Sequence, residues 1–182
     1  IDEVSKRLDV AGASPEVRIW PMIETPTAIF DVRKLAAHPR VAVLIMGTND
    51  LAKDLNSRAR AALMTSLQMC LLAAKAAGIV ALDGVYNAFK DEDGLRAECS
   101  EGRDMGFDGK TLIHPDQVGV ANDVWSPTEA EVEHARKVIA AFDEALAAGK
   151  GVVQLDGRMI ENLHVANAQR AIAIADAIAE LA

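Results

Sequence analysis

Two acidic residues stand where a parallel α/β fold keeps its chemistry. Glu24 follows the apolar run 17–23, and Asp50 follows the apolar run 41–46. In such folds ligands gather at the C-terminal ends of the strands. Two carboxylates on adjacent strand ends suit Mg²⁺, which takes oxygen ligands in an octahedron and keeps water or substrate in part of it. The same acids also suit helix caps, a common use of acidic residues where a strand gives way to a helix. Spacing alone leaves both readings open.

Three further residues could meet a ligand. Lys110 and His114 lie in the segment 107–114, which reads as a strand. A lysine there can form a salt bridge or bind an anion, and a histidine before Pro115 can satisfy a strand-end backbone group or act on a substrate. Asp156 precedes Gly157. That dipeptide is a strong turn former, and its carboxylate is also a candidate acid or base.

The elements that position these residues alternate. Ile1, Val4 and Leu8 lie at helical spacing, so the chain opens inside a helix that breaks over 12–15. No N-cap precedes Ile1, which gives the start the look of a truncation. Residues 17–23 read as a strand, and Thr25-Pro26 caps a helix ending near His38-Pro39. Residues 41–46 form a second strand that closes in Gly47-Thr48-Asn49-Asp50. A long helix from about Ser57 carries Leu63, Leu67, Leu71 and Ala74 on one face and ends at Gly78. Residues 79–82 are a third strand, 92–105 a helix stopped by Gly106, and 107–114 a fourth strand followed by a short helix from Pro115.

Ser126-Pro127-Thr128-Glu129 reads as a capping box with proline in the first turn, opening a helix closed by Gly149. Residues 151–160 are extended, and an alanine-rich helix runs from about Leu163 to the end. Four strand–helix alternations are the mark of βαβ units and a parallel sheet. They amount to half of a TIM (β/α)₈ barrel, which usually takes ~250 residues, so the first half is expected upstream of Ile1. The domain division expected is 1–149 for the barrel portion and 150–182 for the tail. The rival is a doubly wound sheet, complete as it stands, but no G-x-G-x-x-G follows the first strand.

Bulk properties narrow the classes. The 182 residues are 51% hydrophobic, enough to bury a core. A net charge of −8 argues against a nucleic-acid partner, because phosphate contacts need a basic face. An anionic substrate would need a metal or local cations to offset that charge. Cys70 and Cys99 lie in helical stretches and read as packing residues of a reducing cytoplasm. No apolar run reaches the ~20 residues of a membrane span, so no membrane association is expected.

Met22-Ile23-Glu24-Thr25, Gly47-Thr48-Asn49-Asp50-Leu51, Gly84-Val85-Tyr86 and Gly109-Lys110-Thr111-Leu112-Ile113-His114-Pro115-Asp116-Gln117 together resemble the HpcH/HpaI aldolase and citrate lyase β-subunit superfamily, in order and in spacing. The Ile-His-Pro-x-Gln run is the most specific part. The resemblance implies that Glu24 and Asp50 hold Mg²⁺, which grips an α-keto acid, with backbone groups of Asn49 and Asp50 helping to place it. It implies that the 110–117 loop lies along the pantetheine arm of an acyl-CoA thioester, with Lys110, Ile113 and His114 at the substrate.

Residues 151–160 resemble the lid segment of malyl-CoA and citramalyl-CoA lyases. Carried over, Asp156 serves a neighbouring subunit's site as catalytic acid or base in a homo-oligomer, a trimer or hexamer. The activity so implied is Mg²⁺-dependent cleavage or formation of a 3-hydroxyacyl-CoA into acetyl-CoA and an α-keto acid. A pyruvate-type aldolase acting on free hydroxy keto acids and a noncatalytic thioester-binding subunit are the alternatives. An arginine that the family places on an early strand falls upstream of Ile1, and Arg18 and Arg33 do not match it.

Overall fold

The computed structural model describes residues 1–181, and packing divides the chain into two compact units, Ile1–Trp125 and Ser126–Ala182. The first unit opens with α1 (Asp2–Val10). Four βα units follow: β1 (Met22–Ile23) with α2 (Pro26–Ala36), then β2 (Val43–Met46) with α3 (Thr48–Asp54) and α4 (Met64–Ala77). After them come β3 (Val80–Asp83) with α5 (Glu92–Met105), and β4 (Gly109–Lys110) with α6 (Gln117–Trp125).

All four strands are parallel and lie in the order β1-β2-β3-β4. Each strand pairs with the next in sequence and the order never reverses. That is the winding of a barrel wall, whereas a doubly wound sheet reverses at a switch point. The core lies between this sheet and α2 and α4, where Ile23, Leu44, Met46, Leu67, Cys70, Ala74 and Ala81 are fully or almost fully buried. A second cluster, Leu95, Cys99, Val120, Ala121 and Val124, joins α5 to α6.

The strands are shorter than the apolar runs. Only Met22 and Ile23 of the run 17–23 enter the ladder, with one isolated bridge from Ile19 to Val41. Pro21 lies between them, and proline has no N–H to give to a ladder. The run 107–114 contributes Gly109–Lys110 alone. The helix expected from Ser57 is a 3₁₀ turn at Arg60–Leu63 leading into α4, and the short α3 was not expected.

In the second unit α7 (Glu129–Ala147) packs on α8 (Asn162–Leu181), and a hairpin of β5 (Val153–Leu155) and β6 (Arg158–Ile160) lies with them. Packing sets the boundary of this unit at Trp125–Ser126, and within it Ala135, Val138 and Phe142 of α7 share one core with Ile160, Val165 and Ala168. The capping box is also shifted by two residues. Thr128, not Ser126, is the N-cap, and Glu131 closes the box, so Pro127 lies before the helix.

Both cysteines are packing residues, fully buried. Burial pushes the Cys70 thiol up to about 12 and raises that of Cys99 as well. Since the thiolate is the reactive form, neither should be alkylated by iodoacetamide in the native protein at pH 8, and both should be after denaturation. Mass spectrometry of the labelled protein checks this.

No helix among the described residues is long and apolar enough to cross a membrane.

Candidate functional site

The parallel sheet sends its four strands out at one end, and the acidic residues stand there. Met22 pairs with Ile45 and Ile23 with Met46, so Glu24 and Gly47 are the next residues off adjacent strands. They are in close register. A Cβ built on Gly47 would lie 2.3 Å from Glu24 Cβ and 2.8 Å from Glu24 Oε2, so the Glu24 side chain crosses directly over bare backbone. The same device recurs one strand on, where a Cβ on Gly84 would lie 2.4 Å from Thr48 Oγ1.

Neither acid is a helix cap. The cap of α2 is Thr25, whose Oγ1 accepts from the Ala28 N–H at 3.2 Å, and the cap of α3 is Gly47. Asp50 lies in the first turn of α3, exposed, and Glu24 is partly exposed. Among the described residues neither carboxylate has a hydrogen-bond or ion-pair partner, and no third His, Cys, Asp or Glu completes a metal-binding group with them. Two such acids could hold a divalent ion whose remaining positions go to water and ligand. The donor set is oxygen only, which fits Mg²⁺.

Asn49, beside Asp50, is engaged. Its amide nitrogen donates to Asn87 Oδ1 at 3.1 Å, and the Asn87 amide donates back to Asn49 Oδ1 at 2.6 Å. This ties α3 to the loop 84–91 after β3. A cavity of about 370 Å³ opens beside it, lined by Thr48, Asn49, Arg60, Tyr86 and Asn87 among others. A larger one of about 770 Å³, lined by Arg18, His38 and Gly78 among others, lies at the opposite end of the strands, where folds of this kind do not place chemistry.

Lys110 is not at the solvent. Its ammonium is fully buried, donating to Asp83 Oδ2 at 3.0 Å and to Glu98 Oε1 at 2.5 Å. Asp83, also fully buried, receives both ends of the Arg60 guanidinium at 3.1 and 2.9 Å, and accepts from the Gly84 N–H at 2.8 Å. Burial lowers the Arg60 pKa, but the hydrogen bonds and charges of Asp83, Glu101 and Glu98 outweigh it and hold the group above its ordinary value. The sequence reading missed this network. An aspartate closing an apolar strand was the available signal, since a buried carboxylate requires cationic partners.

Ile113 is half exposed and His114 partly so, on the loop after β4. The His114 ring stacks on Phe89 with centroids 4.7 Å apart and planes at 24°. Asp156 sits at the hairpin tip in the second unit. With Gly157 it forms a two-residue turn, both at positive φ (50° and 78°), between the paired residues Leu155 and Arg158.

The family described as HpcH/HpaI aldolase/citrate lyase matches residues 3–115. A (3S)-malyl-CoA thioesterase of Cereibacter sphaeroides (strain ATCC 17025) is 55% identical over 98% of this chain and 65% of its own length. The citrate lyase β subunit of Leuconostoc mesenteroides subsp. cremoris is 35% identical over 85% of this chain and 53% of its own. The chain thus spans at most about two thirds of the curated relatives named here. Among solved structures, CitE of Mycobacterium tuberculosis, in complex with magnesium, acetoacetate and coenzyme A, superposes with a TM-score of 0.76 at 23% identity, over 97% of this chain and 74% of that one. RipC of Yersinia pestis does so with a TM-score of 0.66 at 30% identity, over 70% and 60%.

Proposed function

This chain belongs to the HpcH/HpaI aldolase/citrate lyase family, and from that premise we propose that it works on the CoA thioester of a 3-hydroxy acid of the malyl-CoA type, with Mg²⁺ held by Glu24 and Asp50. The observation that carries the reading is the two carboxylates after adjacent strands, without partners among the described residues, with Glu24 lying over backbone kept bare by Gly47. CitE of M. tuberculosis was crystallised with magnesium and coenzyme A, which supports the same ligands here. The ion supplies Lewis acidity at a substrate oxygen and positive charge in a chain of net charge −8.

The remaining roles fall to the chain's own residues. Backbone groups at Asn49 and Asp50 orient the acid end of the substrate, and Ile113 and His114 lie along the thioester arm. Lys110 serves the site from beneath, through Asp83. Asp156 moves the proton, from a hairpin that serves a neighbouring subunit in a homo-oligomer.

The reaction is hydrolysis, a reading supported by the likeness to a thioesterase over almost the whole chain. Water adds to the thioester carbonyl carbon and gives a proton to Asp156; the C–S bond breaks, and CoA leaves as the thiol after regaining a proton. The second reading, C–C cleavage, is favoured by the likeness to citrate lyase β subunits. There the 3-hydroxyl gives its proton to water, the bond between C2 and C3 breaks, and the acetyl-CoA enolate takes a proton at carbon from Asp156.

Product analysis separates them. Malyl-CoA and Mg²⁺ mixed with the intact protein should release free thiol and malate in equal amounts. Glyoxylate and acetyl-CoA without free thiol would establish the lyase instead, and no turnover of any 3-hydroxyacyl-CoA sinks both. Cys70 and Cys99 are buried, so neither adds to what a thiol reagent reads from CoA.

A further inference from the structure

The run Ile113-His114-Pro115-Asp116-Gln117 ends in a residue to which the reading above gives no role. Gln117 opens α6 at the strand-end face of the sheet, yet it is fully buried. A buried primary amide must have both its donor and its acceptor satisfied. Gln117 satisfies them across two loops: its Oε1 accepts from the Ile113 N–H at 3.0 Å, and its Nε2 donates to the Tyr86 carbonyl at 2.9 Å.

The His114–Phe89 stack bridges the same two loops a second time. Between Tyr86 and Phe89 lies Asn87, whose amide pair with Asn49 reaches the helix that carries Asp50. The loop 84–91 is therefore fastened on one side to α3 and on the other to the loop of Ile113 and His114. The Gln117 fastening is better shielded than the Asn49–Asn87 pair, since the Gln117 side chain is fully buried and its two bonds part-buried, whereas the amide pair is exposed, which makes it the firmer of the two.

We infer that Gln117 is a positioning residue, which fixes the loop of Ile113 and His114 against the loop 84–91 and so sets its distance from Asp50. This rests on the reading that Ile113 and His114 meet the CoA thioester, and it assigns that contact a support. An amide is required because one end must accept and the other donate. A methionine of similar volume does neither, and an ionised glutamate keeps the acceptor for Ile113 but turns an oxygen toward the Tyr86 carbonyl.

The test is CoA binding by calorimetry on the intact protein with Mg²⁺ present, for wild type, Gln117→Met and Gln117→Glu, each checked for folding by circular dichroism. Loss of the two bonds should weaken CoA binding and raise KM roughly tenfold. Mg²⁺ affinity should be unchanged and kcat should stay within about twofold, a split that general loosening of the fold does not produce. A folded Gln117→Met protein that binds CoA as wild type does overturns the inference. Should the methionine variant not fold, the glutamate variant decides by the same readout. Wild-type protein that binds no CoA overturns the functional reading as well, so the two failures are distinct.

Discussion

Glu24→Gln removes one charge from the metal-holding pair while keeping its size, and turnover of malyl-CoA should fall on the order of 10³-fold, because several kcal/mol of transition-state stabilisation go with the ion. Asp50→Asn should do the same. Among the described residues neither acid has a partner to lose, so both variants should fold with wild-type stability. Calorimetric titration with Mg²⁺ is the discriminating measurement. Wild-type Mg²⁺ affinity in both variants would remove the metal from these side chains whatever happened to the rate. A matching test for the hairpin acid is Asp156→Asn rather than alanine, since asparagine tolerates the positive φ of 50° found there and alanine does not.

The second large effect is on stability. Asp83→Ala should destabilise the protein by about 3 kcal/mol, the cost of taking the one fully buried carboxylate from two cations that then keep only Glu98 and Glu101. Lys110 has no exposure to recover hydration, and Arg60 has little. The midpoint of urea unfolding should drop with an unchanged slope. A shift near that of an ordinary surface substitution would mean that the network contributes little. Asp83→Asn should fall between, since its amide retains one acceptor for Arg60 but not the charge.

The legible parts of the fold were those written in local sequence. Thr25-Pro26 announced the start of α2, and Gly78 and Gly106 the ends of α4 and α5, because caps depend on neighbours within one turn. Strand lengths were not legible, since pairing is decided by the partner strand. The cap of α7 was misplaced because two overlapping registers, Ser126 with Glu129 and Thr128 with Glu131, satisfy the same pattern, and only backbone conformation chooses. In the site, Glu24 and Asp50 could be picked out from the strand ends preceding them. The burial of Lys110 could not, because its partner Asp83 lies 27 positions away. Gln117 was visible as part of a motif but not as a clamp, for the same reason: Tyr86 is 31 positions off.

The unreversed strand order has a consequence for how the chain assembles. Each of β2, β3 and β4 finds a partner in the strand just before it, so these pairings form between neighbouring segments as the chain lengthens. A ribosome delivering this chain would release it in the sequence in which it can fold, one repeat laid against the last.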